Sequence, residues 1–280
     1  MSRLCLYGAG GAGINLVANF LKHNGKKEAG FADIQTFFLD TSSSNLLSKE
    51  PEDHVYIIEG IDGSGKKRDS NYRIISERSN EMLHRFKPGD INVVIHSASG
   101  GSGSVIGPTL VSELLDRDVP TIVIMVGSSD SRIETHNTVN TLKSYEVISQ
   151  KRETPVIAVY YENSSDSPRG EVDQRIKTTI ILLAAIFSGE NRELDSADLH
   201  NFLAYQKVTS FKPKLSYLDF FSKKIELQRD QTVVSLVTLT DENTTSAVEL
   251  PVEYQAVGFV SEQAKNSVDV ALPIHVAIIS

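Results

Sequence analysis

The chain has 280 residues, 40% hydrophobic and 23% charged, enough for one large or two moderate domains with a full core. Its net charge of −8 excludes a surface that tracks nucleic-acid phosphates, although a single nucleotide needs only a few backbone amides. The lone cysteine, Cys5, rules out an intrachain disulfide and any multi-cysteine metal site, and its apolar surroundings mark it as a small core residue.

Strand and helix patterns alternate along the first half. "RLCLYG" reads as a strand, "AGINLVANFLKHNG" as a helix ending at Gly25, and "DIQTFFLD" and "HVYIIEG" as further strands. "NYRIISERSNEMLHRFKPG" is helical, with Ile74, Ile75, Met82, Leu83 and Phe86 on one broad face. Strand "INVVIHS", helix "TLVSELLDRD" and strand "PTIVIMVG" follow, then helix "THNTVNTLKSYEVISQKRE" and strand "PVIAVYYENS". Continuous Val/Ile runs bounded by Gly or Pro predict a mostly parallel sheet covered on both faces, an α/β fold. A long helix, "EVDQRIKTTIILLAAIFSG", is apolar all round in its middle and is expected to be buried there. Beyond it "DQTVVSLVTLTD", "EYQAVGFVSE" and "VDVALPIHVAII" are strand-like. The expected organisation is a nucleotide-binding domain over 1–170, a central helix and loop over 171–204, and a smaller sheet-rich C-terminal domain over 205–280.

No run approaches the roughly 18 apolar residues of a membrane span, and no signal-peptide layout opens the chain, so the expected compartment is the cytoplasm, without membrane or direct nucleic-acid partners.

Two glycine-rich strand–helix turns stand out. Gly8-Ala9-Gly10-Gly11-Ala12-Gly13 fits G-x-G-x-x-G, in which glycines let backbone amides approach a phosphate at a helix N-terminus. Asp40, ending the next strand, lies where a ribose-binding carboxylate is wanted, so an NAD(P)-dependent Rossmann oxidoreductase is one reading. A dinucleotide fold, however, has no use for the second turn, Ser99-Gly100-Gly101-Ser102-Gly103-Ser104. Two such turns could instead clasp the phosphates of one nucleotide from both sides. A third stretch, Gly60 to Lys66, satisfies G-x-x-x-x-G-K, but Lys67 stands where a P-loop needs a magnesium-binding Ser or Thr.

"SGGSGSVIGP" resembles the glycine signature of the tubulin and bacterial cell-division tubulin-like GTPases, with Ser99, Ser102 and Val105 replacing a glycine, a threonine and a glycine. "YGAGGAGIN" is similar to the first phosphate loop of that family and includes Asn15, where the family places a base or sugar contact. "DTSSSNL", opening with Asp40, is similar to its second loop, and "GSGKKR", with Gly63, Ser64, Gly65 and Lys66, to its third. "ENRELDSADL" resembles the family's acidic loop, with Asp195 and Asp198 matching its two acids and Glu193 in place of its asparagine.

The resemblance, which extends to the phage-encoded tubulin-like proteins, implies GTP and GDP as ligands with Mg2+, and a GTPase that polymerises head to tail. Asp195 and Asp198 would complete the active site of the adjacent subunit by polarising a water. Both acids would equally suit the cap of the next helix. Asp173 falls near the family's guanine-reading position, and Arg132 and Glu134 in its ribose-side loop, with Asn137 or Asn140 beside them. The implied partners are further copies of the chain and, indirectly, a viral capsid or DNA cargo in the host bacterial cytoplasm. A non-hydrolysing tubulin-like adaptor remains an alternative.

Overall fold

The computed structural model describes residues 2–46, 51–61, 63–65, 68, 71–221, 231–242, 251–267 and 272–280. In chain order the elements begin β1 (Arg3–Ala9), α1 (Gly10–Lys22), α2 (Gly25–Glu28), β2 (Asp33–Asp40), β3 (Val55–Ile57) and α3 (Tyr72–Arg85). The middle holds β4 (Ile91–Ser97), α4 (Gly103–Asp116), β5 (Thr121–Ser128), α5 (Arg132–Arg152), β6 (Val156–Asn163), α6 (Arg169–Ile186) and α7 (Ser196–Leu203). It closes with β7 (Leu215–Phe221), β8 (Val233–Thr240), β9 (Tyr254–Phe259), α8 (Glu262–Ser267) and β10 (Ile274–Ile279).

Among the described residues, ten strands form one sheet in the order β3-β2-β1-β4-β5-β6-β7-β10-β8-β9. Every pairing from β3 to β7 is parallel; β10 runs antiparallel between β7 and β8, and β8 and β9 are again parallel. Alternation along each strand sends neighbouring side chains to opposite cores. Leu4 and Leu6 join the cluster that includes α1, α6 and α7, while Cys5 and Tyr7 join the one under α3, α4 and α5. Burial on both faces explains the unbroken Val/Ile runs.

The central helix is enclosed where the sequence is apolar all round: Leu182 through Ile186 are buried. Its end is held by Asn191, whose Nδ2 donates to the carbonyls of Ala185 and Ile186 at 2.8 and 3.0 Å. Two helices start earlier than their apolar periodicity predicts. α4 begins at Gly103, so the second glycine turn runs directly into it, and α5 begins at Arg132 with Ser131 as its cap. Strand β7 escaped the sequence reading because one inward position is Ser216, which is buried but polar.

Candidate nucleotide site and a distant acidic turn

β1, β2 and β4 run in one direction, so the turns that follow them meet outside the carboxyl end of the sheet, where open α/β folds bind ligands. The two glycine turns touch. Gly10 has φ +70°, and a Cβ there would lie 2.6 Å from the Gly103 nitrogen; a Cβ on Gly103 would lie 2.7 Å from the Ala9 oxygen. Beneath them, a Cβ on Gly8 would lie 2.8 Å from the Gly13 oxygen, and one on Gly13 would overlap the Ile95 oxygen. Only glycine permits this approach of backbone to backbone.

The contact aims the N-termini of α1 and α4 into one space. Neither Ala9 nor Ser102 caps its helix through a side chain, and neither first turn carries an acid. In the first turn of α4 the Val105 amide alone turns back, to the Ser102 carbonyl at 3.0 Å, and the two dipoles present positive ends together, an arrangement suited to an anion.

The space is a cleft of about 400 Å³ lined by residues 9–12, Asp40, Gly63, Ser64, residues 99–103 and Glu134, all expected from the sequence. Ser42, Ser44, Asn45 and Ser97 line it as well; the first three belong to the serine-rich stretch after Asp40. Ser104 is buried behind the turn and donates to the Gly101 carbonyl at 2.9 Å. Gly65 has φ +54° with open space around it, and Lys66 lies outside the described residues.

Gly8, Asn15, Gly65, Ser104, Arg132 and Asp173, with Asn137 and Asn140, also expected there, do not line the cleft. Arg132 is exposed beside Ile133, His136 and Val139. Asn15 is half-buried on α1, one turn before Asn19, whose amide donates to Asp173 on α6 at 2.9 Å. Asn137, expected near a sugar, is buried and donates its amide to the Ser99 and Gly100 carbonyls at 3.1 and 3.3 Å.

Asp40 is the ionisable group enclosed at the cleft. Burial pushes its carboxyl above the ordinary carboxylate range, offset in part by the Thr41 amide at 2.7 Å and the Asn45 amide at 2.8 Å. Thr41 and Ser102 share a hydroxyl–hydroxyl bond of 2.6 Å, which ties the second loop to the glycine turn.

Asp195 and Asp198 sit elsewhere. Asp195 caps α7, its Oδ1 accepting from the Ala197 and Asp198 amides at 2.8 and 2.9 Å, while Asp198 Oδ2 accepts from the Asp195 amide at 3.3 Å. Tyr254 of β9 donates to Asp198 Oδ1 at 3.2 Å. The acids line a cavity of about 1100 Å³ whose other walls include Ser2, Asp90 and Pro120, at the starts of β1, β4 and β5. This is the end of the sheet opposite the glycine turns. The seven residues of β1 alone span about 20 Å, so one chain does not bring its own acids to its own cleft.

The sequence profile of the Tubulin/FtsZ family, GTPase domain, matches residues 3–163. The phage tubulin-like protein of Pseudomonas phage phiKZ is 32% identical over 182 residues, which are 61% of this chain and 56% of that protein. That of Pseudomonas phage PhiPA3 is 28% identical over 235 residues, 84% of this chain and 71% of that one. The chain thus aligns with little more than half of the phiKZ relative's length. Among solved structures, the protofilament of TubZ from bacteriophage PhiKZ superimposes with a TM-score of 0.86 at 26% identity, covering 99% of this chain and 84% of that one. The phage tubulin PhuZ solved with GDP gives a TM-score of 0.83 at 20% identity, covering 99% and 84%.

Proposed function

Because the chain belongs to the Tubulin/FtsZ family of GTPases, we propose that it binds GTP between the two glycine turns and hydrolyses it at the junction with a second copy stacked head to tail. One observation carries this reading: the anion-ready cleft and the paired acids lie at opposite ends of the parallel strands β1, β4 and β5. A subunit stacked end on end would bring the acidic turn of one copy toward the cleft of the next. Filaments of phage relatives, a TubZ protofilament and a PhuZ201 filament, support assembly by self-association.

In the proposed reaction the amides at the starts of α1 and α4 hold phosphate oxygens, and Asp195 or Asp198 of the neighbouring copy orients a water and accepts its proton. The water oxygen bonds to the γ-phosphorus, the bond from phosphorus to the β–γ bridging oxygen breaks, and GDP and phosphate leave. The Asp40 carboxylate and the Thr41 and Ser102 hydroxyls are hard oxygen donors, the ligand chemistry that Mg2+ takes alongside phosphate oxygens. An ion held by these groups would neutralise charge on the phosphates. Asn15 and Asp173, with Asn19 beside them, would face the base, and Gly65 and Arg132 would approach the ligand only by moving. We extend the proposal to a role in positioning viral DNA within a host cell, since the relatives that the chain matches are phage proteins.

The Asp195→Ser, Asp198→Asn double variant tests the assignment, since Ser keeps the capping oxygen and loses the charge. GTP binding should persist, hydrolysis should stop, and filaments should last longer. Loss of GTP binding would defeat the split-site reading. A wild-type chain that binds GTP without turnover would be the adaptor instead.

A further inference from the structure

The second glycine turn would not by itself present amides to an anion, because a chain of small residues can turn either its N–H or its C=O groups into a cleft. Here its carbonyls are taken up from behind. Asn137 of α5 donates its amide to Ser99 O at 3.1 Å and Gly100 O at 3.3 Å, the two acceptors its two N–H bonds can serve. One turn along, the single hydroxyl proton of Thr141 lies between Ala98 O at 2.9 Å and the Asn137 carbonyl at 2.8 Å. One turn further, the Tyr145 hydroxyl meets His96 Nε2 at 2.6 Å, and Nδ1 of that ring lies 3.0 Å from Ser97 O. From the front of α4, Ser104 takes Gly101 O. Positions 137, 141 and 145 form one stripe at helical spacing, and all three are buried.

In a trans peptide the C=O and the following N–H point in opposite directions. Drawing the carbonyls of Ala98, Ser99, Gly100 and Gly101 away from the cleft turns the amides of Ser99, Gly101 and Ser102 toward it; the Gly100 amide is held by Ser97 Oγ at 3.0 Å. We propose that Asn137 is the positioning residue that fixes the amide polarity of this turn, assisted by Thr141, and that it thereby sets affinity for the nucleotide phosphates without touching them. This rests on the reading of the cleft as the GTP site.

The test measures the dissociation constant of a fluorescent GDP, below any assembly threshold, for wild type and for Asn137→Ala, Asn137→Asp, Thr141→Val and Thr141→Ser. Thermal unfolding without nucleotide is recorded in parallel. Asn137→Ala should weaken GDP by about 10-fold, as expected for lost hydrogen bonds to a turn that must stay oriented. Asn137→Asp, nearly the same shape, sets an acceptor against two carbonyls and should weaken GDP further at pH 8, with partial recovery at pH 5.5, where a protonated carboxyl donates again. Thr141→Ser should bind like wild type and Thr141→Val more weakly. A purely structural role would lower the unfolding midpoint and leave the constant of the folded fraction unchanged; that result overturns the inference alone. If a position 137 variant fails to fold, the Thr141 pair decides: equal binding by Val and Ser overturns it. A wild-type chain that binds no GDP would bring down the GTPase reading and this inference together.

Discussion

Glycines of similar backbone conformation carry very different weight. Gly10 and Gly63 have φ of +70° and +71°, but only Gly10 has another main chain against it, Gly103 at 2.6 Å. Replacing Gly63 by Ala should cost about 1 kcal/mol of conformational strain, whereas Gly10→Ala must also push the two turns apart. The expected outcome is a Gly10→Ala chain that unfolds at lower temperature and has lost most of its nucleotide affinity, beside a Gly63→Ala chain close to wild type in both. Calorimetry and nucleotide titration check the pair. The sequence announced that glycines mattered at 8–13 and 99–104; it could not say which of them meets the other loop, because that contact joins residues some ninety positions apart.

Burial also leaves a pH signature at His96, whose pKa is lowered to about 4 inside the core beside Tyr145. The unfolded chain takes up this proton near pH 6.5, so between 6.5 and 4 it binds a proton that the folded chain refuses. Stability from this residue is therefore complete above pH 6.5 and falls by about 3 kcal/mol as pH approaches 4. Asp40 acts with the opposite sign: its carboxyl is raised on folding, so its contribution strengthens as pH falls. Thermal unfolding followed from pH 7.5 to pH 4.5 should show a steeper loss in wild type than in His96→Asn, and equal slopes would contradict the assignment to His96.

At the scale of elements, most strands and helices followed from periodicity, and the exceptions are instructive. Helix α5 is read from Thr135 but starts at Arg132, and its stripe facing the glycine turn, Asn137, Thr141 and Tyr145, carries polar groups. The resemblance sets Asn137 beside the ribose-side positions, whereas its amide turns to carbonyls 38 and 37 residues away, a contact that no local pattern announces. Helix α7 has only eight residues, too short to hold without help, and Asp195 supplies that help as its cap. Both sequence readings of Asp195, cap and catalyst, are thus compatible in one residue, and substitution separates them. Asp195→Ala should lower stability by about 1 kcal/mol, Asp195→Ser should not, and both should abolish turnover. Chemical denaturation set against hydrolysis rates distinguishes the two effects. A Ser variant with normal hydrolysis would remove Asp195 from the chemistry.

For the whole molecule, the parallel sheet decides how function is arranged. Strands that run one way put helix N-termini, and with them anion binding, at one end; the acidic turn after α6 returns to the other. That polarity was legible in outline from the order of motifs, glycine turns first and acids after the long helix. Its consequence, that neither end is complete alone, needed the sheet direction. On this account a solitary subunit is a poor catalyst and a junction a competent one. The most direct measurement is GTP hydrolysis per subunit as a function of protein concentration, with light scattering recorded alongside. The account predicts a negligible rate up to a threshold, then a steep rise that coincides with scattering. A rate per subunit that is the same at every concentration would mean a self-contained site and would contradict it.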